Sequence, residues 1–533
     1  MNLTSAIGSP GVLLPGVILA VAALIVMLVE AFYPETLAGI PSRRATAGLA
    51  IVGFLTAALV SVVQWDPFSQ LHPAHQILES LGDPAGMLVF DAYTAFLTIV
   101  FCVGGILAVL LSIRYLDHIG KGAGELYSLV LFATVGAYLM AAAHHLMMVF
   151  LGLEILSVSV YPLAGFLRKD QRSNEAALKY FLLGAFASAF LLYGIALIYG
   201  AAGVQMHASG SPSGPGQNLL HPGLLRFDQL AAFVQQGGSQ SALFWIGVAL
   251  LIVGFSFKAG LSPFHMWTPD VYDGAPTPIT GFMASVVKAA AFAPFFRFFL
   301  EVLGRRPGLV SDQQAYYHWG MLIGGIAILT MTWGNLAAVA EPSMKRMLAY
   351  SSVAHAGYIT LALVAQSRTA LLYYMLVYTL MVVGSFGCVA LLRRRSGEET
   401  TLISEWTGIA HRHPWLSAAM AVFMFSLAGF PPTAGFIGKL FIFRAALAMG
   451  AGVQQNGYVS LVVIALLNSL VSVYYYVRVV VTMYRPAVED PGEYHVDRSL
   501  AAGLALAICA AGIILLGIFP EIVTGRLQDI FGI

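Results

Sequence analysis

The chain has 533 residues, of which 10% are charged and 59% are hydrophobic, and its mean hydropathy is +0.81. A soluble domain has about 25% charged residues, and a water-soluble fold of this size could not hide so much apolar surface. The composition excludes a soluble enzyme and also a disordered chain, because disordered chains are poor in apolar residues. It predicts an all-α polytopic membrane protein, with residues 1–533 forming a single membrane domain.

The charge balance and the cysteines exclude several kinds of site. With 27 basic against 26 acidic residues, nothing indicates nucleic acid as a partner. The sequence has no CxxC, no Cys/His cluster, no GxGxxG and no phosphate-binding loop. We therefore expect no metal and no cofactor in this chain, although spacing alone leaves haem ligation by paired histidines open. The three cysteines are widely separated and lie in apolar runs: Cys102, Cys388 and Cys509.

The apolar runs predict fourteen membrane spans, because a bilayer core of about 30 Å needs about 20 apolar helical residues. They lie near residues 11–33, 45–64, 89–113, 124–142, 145–167, 175–201, 241–261, 275–300, 319–340, 345–365, 368–393, 415–449, 457–484 and 499–519. The preceding MNLTSAIGSP contains no Lys or Arg, unlike the start of a signal peptide, so we expect the first run to be retained.

The loop charges predict the orientation. With the N-terminus outside, the inside loops carry about three times as many Lys and Arg as the outside segments. An even number of spans then places the C-terminus outside as well. The longest loop, 202–240, contains SGSPSGPGQ and falls outside. We interpret its stretch LLRFDQLAAFVQQ as an ordinary loop, with a helix on the membrane surface as the alternative.

Several basic residues fall inside the predicted spans, where a charge is costly and usually faces a bundle interior or a water path. They are Lys179, Lys258, Lys288, Arg297, Lys439, Arg444 and Arg478. The three arginines can extend to the membrane interface. Lys288 lies in the middle of its span, with Ser285 one turn before it on the same face.

Glu154 is the carboxylate that the sequence places in the middle of a span, in FLGLEILSVSVYPLAGF. Ser157 and Tyr161 follow at helical spacing, so one face of this helix is polar. The structural interpretation is a buried ion pair that only fixes helix packing. The functional interpretation, which we favour, is a carboxylate that relays protons.

Two spans are predicted to be broken, and each break has a lysine near it. Lys258 precedes Pro263 in the seventh span, whereas Pro431 and Pro432 interrupt the long twelfth span before Lys439. These spans run in opposite directions because they are five apart, and paired interrupted helices in inverted halves mark ion paths in transporters. We predict an N-terminal unit of three spans (1–113), two inverted five-helix repeats (124–300 and 319–484) and a last span (499–519).

Two histidines could support a path for protons. His265 lies just after Pro263 and could line the opening of the broken helix. His355 shares a helical face with Ser351, Ser352 and Tyr358, a stripe that could hold water, although a hydrogen-bonded packing histidine is an equal alternative. If Glu154, Lys258, Lys288 and Lys439 form a row with access to water, they could pass protons through the membrane.

These residues lie in segments that resemble the antiporter-like membrane subunits of respiratory complex I, which are related to Mrp-type cation/proton antiporters. The segment FHMWTPDVYDGAPTPITGFMASVVKAAAF (264–292) is similar to the subunit N branch, the counterpart of mitochondrial subunit 2, rather than to subunits L and M. Four further segments carry the resemblance: LEILSVSVYPLAGF, SNEAALKYFLLGAFASAFLLYGIALIYG (173–200), KRMLAYSSVAHAGY (345–358) and LAGFPPTAGFIGKL (427–440). The chain ends soon after residue 519, whereas subunit L continues with a long lateral helix.

The resemblance implies a role for each of five residues. Glu154 matches a fifth-helix glutamate paired with Lys258, Lys288 matches the central lysine, and Lys439 matches the lysine nearest the exit. Lys179 matches a sixth-helix lysine that modulates the Glu154–Lys258 pair. The family performs no redox chemistry in this subunit, which acts as part of a proton-translocating NADH–quinone oxidoreductase.

The resemblance also implies the surroundings of the chain. FMN, iron–sulfur clusters, NADH and quinone belong to other subunits, and the expected partners are antiporter-like neighbours, small helical subunits, lipid, water and protons. The expected location is a bacterial plasma membrane, with both termini on the periplasmic side. Two alternatives stay open: a subunit of a stand-alone Mrp-type antiporter, and a scaffold whose buried charges only hold helices together.

Overall fold

The computed structural model describes residues 11–33, 36–37, 40–65, 86–119, 124–208, 222–304, 310–394, 399–453, 457–486, 494–497 and 499–531. Within these residues, thirteen helices are long and apolar enough to cross a membrane. Strands in the same residues are limited to two short antiparallel pairs, so the prediction of an all-α protein is confirmed.

The helices follow one another along the chain. The first are α1 (Leu14–Phe32), α2 (Ser42–Trp65), α3 (Ala92–Ile119), α4 (Gly124–Ala142), α5 (Leu146–Ala164), α6 (Gln171–Ala208) and α7 (Phe227–Gln235). The next are α8 (Ala242–Ala259), α9 (Thr268–Gly274), α10 (Thr277–Phe282), α11 (Lys288–Glu301), α12 (Val310–Ala340), α13 (Met344–Val364) and α14 (Arg368–Leu391). The last are α15 (Ile409–Arg412), α16 (Pro414–Ala428), α17 (Ala434–Val453), α18 (Gly457–Tyr484), α19 (Leu500–Ile518) and α20 (Glu521–Phe531).

Shorter elements complete the described chain. A π-helical turn, Met283–Val287, joins α10 to α11. The 3-10 turns are Pro222–Leu225, Gly238–Gln240 and Ile403–Trp406. Strand β1 (Thr36–Leu37) pairs with β2 (Ile40–Pro41), and β3 (Leu392–Arg394) pairs with β4 (Tyr494–Val496). The second pair ties the end of α14 to the segment that precedes α19.

Thirteen of the fourteen predicted spans coincide with single helices or with the continuous α10–α11, and the twelfth is divided between α16 and α17. The predicted loop SGSPSGPGQ and both chain termini lie outside the described residues. The interpretation of residues 224–236 as an ordinary loop is wrong, because α7 forms there. Its Phe227 ring packs on Phe298 of α11 with 5.7 Å between ring centroids, so apolar contact with the protein stabilises this helix.

The most deeply buried spans are α10–α11, α13 and α14. Helices α1, α6 and α18 instead leave much of their apolar surface exposed, as helices do at the outside of a membrane bundle. The central helices carry Lys288 and His355, so these polar side chains lie in the interior.

The first break separates α8 from α9. Helix α8 ends at Ala259 because Gly260 adopts a φ of 72°, which glycine reaches without a steric penalty. The following Ser262–Pro263 bond is cis. The amide of Ser262, which no longer belongs to a helix, donates to Thr330 Oγ1 of α12 at 3.0 Å. Helix α12 therefore satisfies backbone that the break exposes.

The second break separates α16 from α17 in the same manner. Helix α16 ends at Ala428 before Gly429, whose φ is 90°, and the Pro431–Pro432 bond is cis. The chain resumes its helix at Ala434. Both predicted interruptions are therefore confirmed, and each begins at a glycine in the left-handed region.

Two helix pairs pack through the same kind of glycine contact. A Cβ atom added to Gly136 of α4 would lie 2.4 Å from the backbone N of Leu156 in α5. A Cβ added to Gly334 of α12 would lie 2.6 Å from the backbone N of Ala354 in α13. Gly334 follows Gly136 by the same number of residues as Ala354 follows Leu156. Helices α4–α5 and α12–α13 thus form equivalent hairpins.

Candidate functional site

Lys258 lies in the last turn of α8, directly before the first break, and is 4% exposed. Its ammonium donates to Ser157 Oγ of α5 at 2.8 Å and to Tyr180 OH of α6 at 3.0 Å. The Tyr161 ring lies on the same side, with its centroid 5.8 Å from Lys258 Nζ. The structure therefore brings Lys258, Ser157 and Tyr161 together as one cluster.

A small cavity adjoins this cluster. Its volume is ≈ 10 Å³, and its lining includes Ser157, Tyr161, Ser188 and Lys258. This is room for about one water molecule, and the four polar side chains offer the partners that a bound water needs. A water here would contact the lysine and the tyrosine at once.

Glu154 lies on α5 about one turn before Ser157, the residue whose hydroxyl accepts from Lys258. The two side chains make no ion pair within 4 Å in the described structure, and Glu154 Oε1 is buried without a hydrogen-bond partner there. Ser157 takes the direct hydrogen bond instead. Glu154 is therefore a neighbour of the lysine whose carboxylate remains open to a water or a proton.

Lys288 is the first residue of α11, immediately after the π-helical turn, and is 2% exposed. Its ammonium donates to both the backbone oxygen and Oγ of Ser352 in α13, each at 2.5 Å. Ser285 turns away, since its hydroxyl donates to the Gly281 carbonyl of its own helix. The contact of Lys288 thus reaches from the predicted first repeat into the predicted second.

His355 follows Ser352 on the same face of α13 and is fully enclosed. Its Nδ1 lies 2.7 Å from Tyr374 OH, and its Nε2 lies 3.1 Å from Tyr476 OH. Tyr476 is also hydrogen-bonded to Ser351. Each ring nitrogen therefore has a hydroxyl partner, and a change in which nitrogen carries the proton would reverse the direction of these bonds.

Lys439 lies on α17 beyond the second break and is 4% exposed. Its ammonium donates to the carbonyl oxygens of Leu427 and Ala428 and to Ser469 Oγ, each at 3.0 Å. The two carbonyls belong to the last turn of α16, where the helix dipole favours a cation. The Tyr358 ring of α13 lies 5.1 Å from the ammonium.

Helix α13 consequently connects two of the lysines. Its Ser352 contacts Lys288, its Tyr358 contacts Lys439, and His355 lies between them along the helix. The polar stripe predicted on this helix is therefore the part of the structure that joins Lys288 to Lys439.

His265 lies in the first break, between α8 and α9. Its ring packs against Trp333 of α12 at 6.1 Å, and its Nδ1 is buried without a hydrogen-bond partner in the described structure. Its contacts are thus with α12 rather than with the Lys258 ammonium.

Lys179 is placed differently from the buried lysines, since 40% of its side chain is exposed. It forms ion pairs with Glu175 at 2.6 Å and Asp270 at 2.7 Å. Asp270 also accepts from Arg346 of α13 at 2.8 Å. Among the described residues, its chain neighbour Tyr180, which accepts a hydrogen bond from Lys258, connects Lys179 to the Lys258 cluster.

Arg297 contradicts the expectation that it reaches the membrane interface. Its side chain is 3% exposed and pairs with Asp91 at 2.9 Å. Thr94 Oγ1 accepts a further hydrogen bond at 3.0 Å. Asp91 supplies the counter-ion from the segment before α3, so the arginine stays inside.

Sequence reasoning missed several polar partners of the site. They are Tyr180, Tyr374, Tyr476, Ser469 and Asp270. Tyrosines in apolar helices are common core residues, and nothing in their spacing separated these from the others. In the described residues, no group of three or more His, Cys, Asp or Glu side chains could hold a metal ion.

Known proteins resemble this chain along nearly its whole length. The family model described as NADH:quinone oxidoreductase/Mrp antiporter, TM, matches residues 143–465. A curated relative from Trichlorobacter lovleyi, named NADH-quinone oxidoreductase subunit N, is 41% identical over 97% of this chain and 96% of its own length.

Solved structures give the same result. A chain of respiratory complex I from Thermus thermophilus superposes with a TM-score of 0.72 at 31% identity, covering 96% of this chain and 98% of that one. A chain of the Mrp complex from Dietzia gives a TM-score of 0.73 at 18% identity, covering 100% and 98%, and so shares the fold. This multi-pass membrane chain therefore belongs to the NADH:quinone oxidoreductase/Mrp antiporter family.

Proposed function

We propose that this chain is the antiporter-like subunit of an NADH–quinone oxidoreductase and carries protons across the membrane, coupled to quinone reduction by NADH in other subunits. One observation carries the proposal. Lys258, Lys288 and Lys439 are all buried, and within the described residues none has a carboxylate within 4 Å. In the described part of the chain, their ammonium groups contact hydroxyls, carbonyls and aromatic rings.

This pattern argues against a scaffold role for the three lysines. A buried ammonium without a counter-ion is costly, and an ion pair that only fixed packing would supply one. Arg297 provides the contrast within the same chain, because its buried guanidinium is paired with Asp91. We assign Arg297 to structure and the three lysines to proton transfer.

The surroundings of Lys288 favour lateral transfer. Beyond Lys288, residues 289–296 of α11 are apolar and buried, so they offer no proton acceptor along that helix. The polar groups lie sideways on α13, from Ser352 through His355 toward Lys439. In this account Glu154 and Lys258 form the first site, Lys288 forms the central site and Lys439 forms the exit site. Water molecules bridge the distances between these sites.

The remaining residues have supporting roles in the proposal. Ser157 and Tyr161 hold Lys258, and His355 bridges the central and exit sites. His265 borders the first break, and Lys179 modulates the first site from the protein surface. The relay requires no cofactor in this chain; FMN, iron–sulfur clusters, NADH and quinone would reside in partner subunits.

The alternative is a subunit of a stand-alone cation/proton antiporter. The Mrp chain supports the shared fold only, whereas the relative at 41% identity bears the name of an oxidoreductase subunit. We therefore favour the oxidoreductase, with other antiporter-like and small helical subunits as partners. We place it in a bacterial plasma membrane with both termini on the periplasmic side.

Purification of the intact complex through a tag on this chain distinguishes these assignments. We expect flavin and iron–sulfur absorbance to copurify with NADH–quinone turnover that drives proton movement in vesicles. Cation-driven proton exchange in a complex without flavin or NADH oxidation would contradict the proposal and support the stand-alone antiporter.

A further inference from the structure

Ser352 contacts Lys288 through both of its oxygen atoms. Both of its oxygens, the backbone carbonyl and the hydroxyl, accept from the same ammonium at 2.5 Å. Ser352 is fully buried, as is the lysine. No carboxylate lies within 4 Å of this ammonium in the described part of the chain, so Ser352 provides its direct polar contacts.

The equivalent hairpins identify which residue of α5 corresponds to Ser352. Gly136 and Leu156 of the first hairpin match Gly334 and Ala354 of the second. Ser352 follows Glu154 by the same number of residues, so these two residues occupy corresponding positions in α13 and α5. The position that carries a carboxylate in the first hairpin therefore carries a neutral hydroxyl in the second.

We infer that Ser352 is a positioning residue that holds the Lys288 amine while keeping it free of a counter-charge. The inference rests on the proposed function. A carboxylate at 352 would lie against the ammonium in a low-dielectric interior, where attraction between opposite charges is strong. It would hold the proton on Lys288, whereas the neutral oxygens orient the amine and allow it to lose the proton.

The test uses Ser352 variants in the complete complex, with assembly, NADH–quinone turnover and proton translocation in vesicles as readouts. Ser352→Asp adds the counter-charge, and Ser352→Asn is its neutral match in size. Ser352→Ala removes the hydroxyl, and Ser352→Thr retains it. Ser385→Ala is the matched control, because Ser385 is equally buried but donates only to Met381 of its own helix.

We expect Ser352→Asp to lower both rates about tenfold or more at neutral pH, and Ser352→Asn to lower them much less. The Asp variant should recover as the pH falls, because protonation removes the added charge. Ser352→Ala should lower both rates several-fold, Thr should restore them, and Ser385→Ala should match the original complex.

Two results would overturn the inference. One is an assembled Asp variant with the original rates and pH profile. The other is a Ser352→Ala variant with unchanged rates. This second test still applies if the Asp and Asn variants fail to assemble. Lys288→Met distinguishes failure of the proposed function from failure of the inference about Ser352. If Lys288→Met leaves turnover and proton translocation intact, the proposed function fails. If it abolishes both rates while the Ser352 variants keep the original rates, only the inference about Ser352 fails.

Discussion

The Lys258 ammonium donates to the Ser157 hydroxyl at 2.8 Å, so a neutral group lies where the family resemblance implied a direct pairing with Glu154. Glu154 lies on the same helix about one turn before Ser157, and its Oε1 has no hydrogen-bond partner in the described structure. A carboxylate placed in this way can attract the lysine without holding its proton in a fixed ion pair.

Glu154→Gln tests this influence. The change keeps the shape of the side chain and removes its charge, so we expect proton translocation and NADH–quinone turnover to fall together by about a hundredfold, the lower end of the range for loss of a proton-transfer group. Both rates are measured in vesicles with the assembled complex. Glu125→Gln is the control, because Glu125 is exposed and forms a surface pair with Arg168. Equal rates in the two variants would contradict a role for Glu154.

Lys179→Met should have a much smaller effect than Lys258→Met. Ion pairs between exposed groups contribute about 0–1 kcal/mol and weaken with salt, and Lys179 is 40% exposed. We expect turnover of the Lys179 variant to stay within about twofold of the original, since about 0.4 kcal/mol corresponds to that factor. The difference should shrink further at high ionic strength. A loss as severe as that of Lys258→Met would place Lys179 on the main path.

The Asp91–Arg297 pair should stabilise the fold rather than move protons. Burial raises the pKa of Asp91. The Arg297 guanidinium and hydrogen bonds from Thr94 outweigh this effect of burial and lower the pKa to about 2. The pair therefore stabilises the fold above the unfolded-state pKa of about 4 and loses its effect as the pH falls toward 2. Asp91→Asn should lower the free energy of unfolding by about 1–2 kcal/mol at pH 7. This figure allows for solvent screening, because the Asp91 side chain is one third exposed.

Thermal unfolding of the purified complex between pH 8 and pH 3 measures this effect. The melting temperature of the Asn variant should lie below that of the original at neutral pH, and the two curves should approach one another as the pH falls from about 4 to 3. Asp117→Asn is the control, because its pair with Arg114 is exposed. A constant difference across the whole range would rule out the carboxylate charge as the cause.

Gly136→Ala should force α4 and α5 apart, because the new Cβ would meet the Leu156 backbone at 2.4 Å and no flexible side chain could yield. Overpacking of this kind costs about 1–3 kcal/mol. We expect a lower melting temperature and less assembled complex on native gels. Gly48→Ala is matched, since nothing lies within 4 Å of its added Cβ. If both alanine variants behaved alike, the glycine contact would not determine the hairpin packing.

Much of the architecture could be predicted because the length and polarity of an apolar run are local properties of the sequence. Runs of apolar residues predict spans, and Pro263 or Pro431 interrupts a helix whatever its neighbours are. Charges such as Lys288 in an apolar run are visible without a fold, since the membrane makes them costly.

Contacts between distant segments could not be predicted in this way. Asp91 lies 206 positions before Arg297, so nothing local revealed that the buried arginine has a counter-ion. Ser352 was recognised as part of a polar stripe, but its contact with Lys288 depends on how α13 packs against α11. Helix α7, a short helix outside the spans, depends likewise on apolar contact with α11.

The most direct measurement is Lys288→Met in the assembled complex, with assembly, NADH–quinone turnover and proton uptake in vesicles recorded together. Methionine fills a similar volume and cannot carry the proton. The account predicts normal assembly with turnover and proton movement falling in parallel, because the central site links the two halves. Intact assembly with both rates unchanged would contradict it and leave the buried lysines with a structural role.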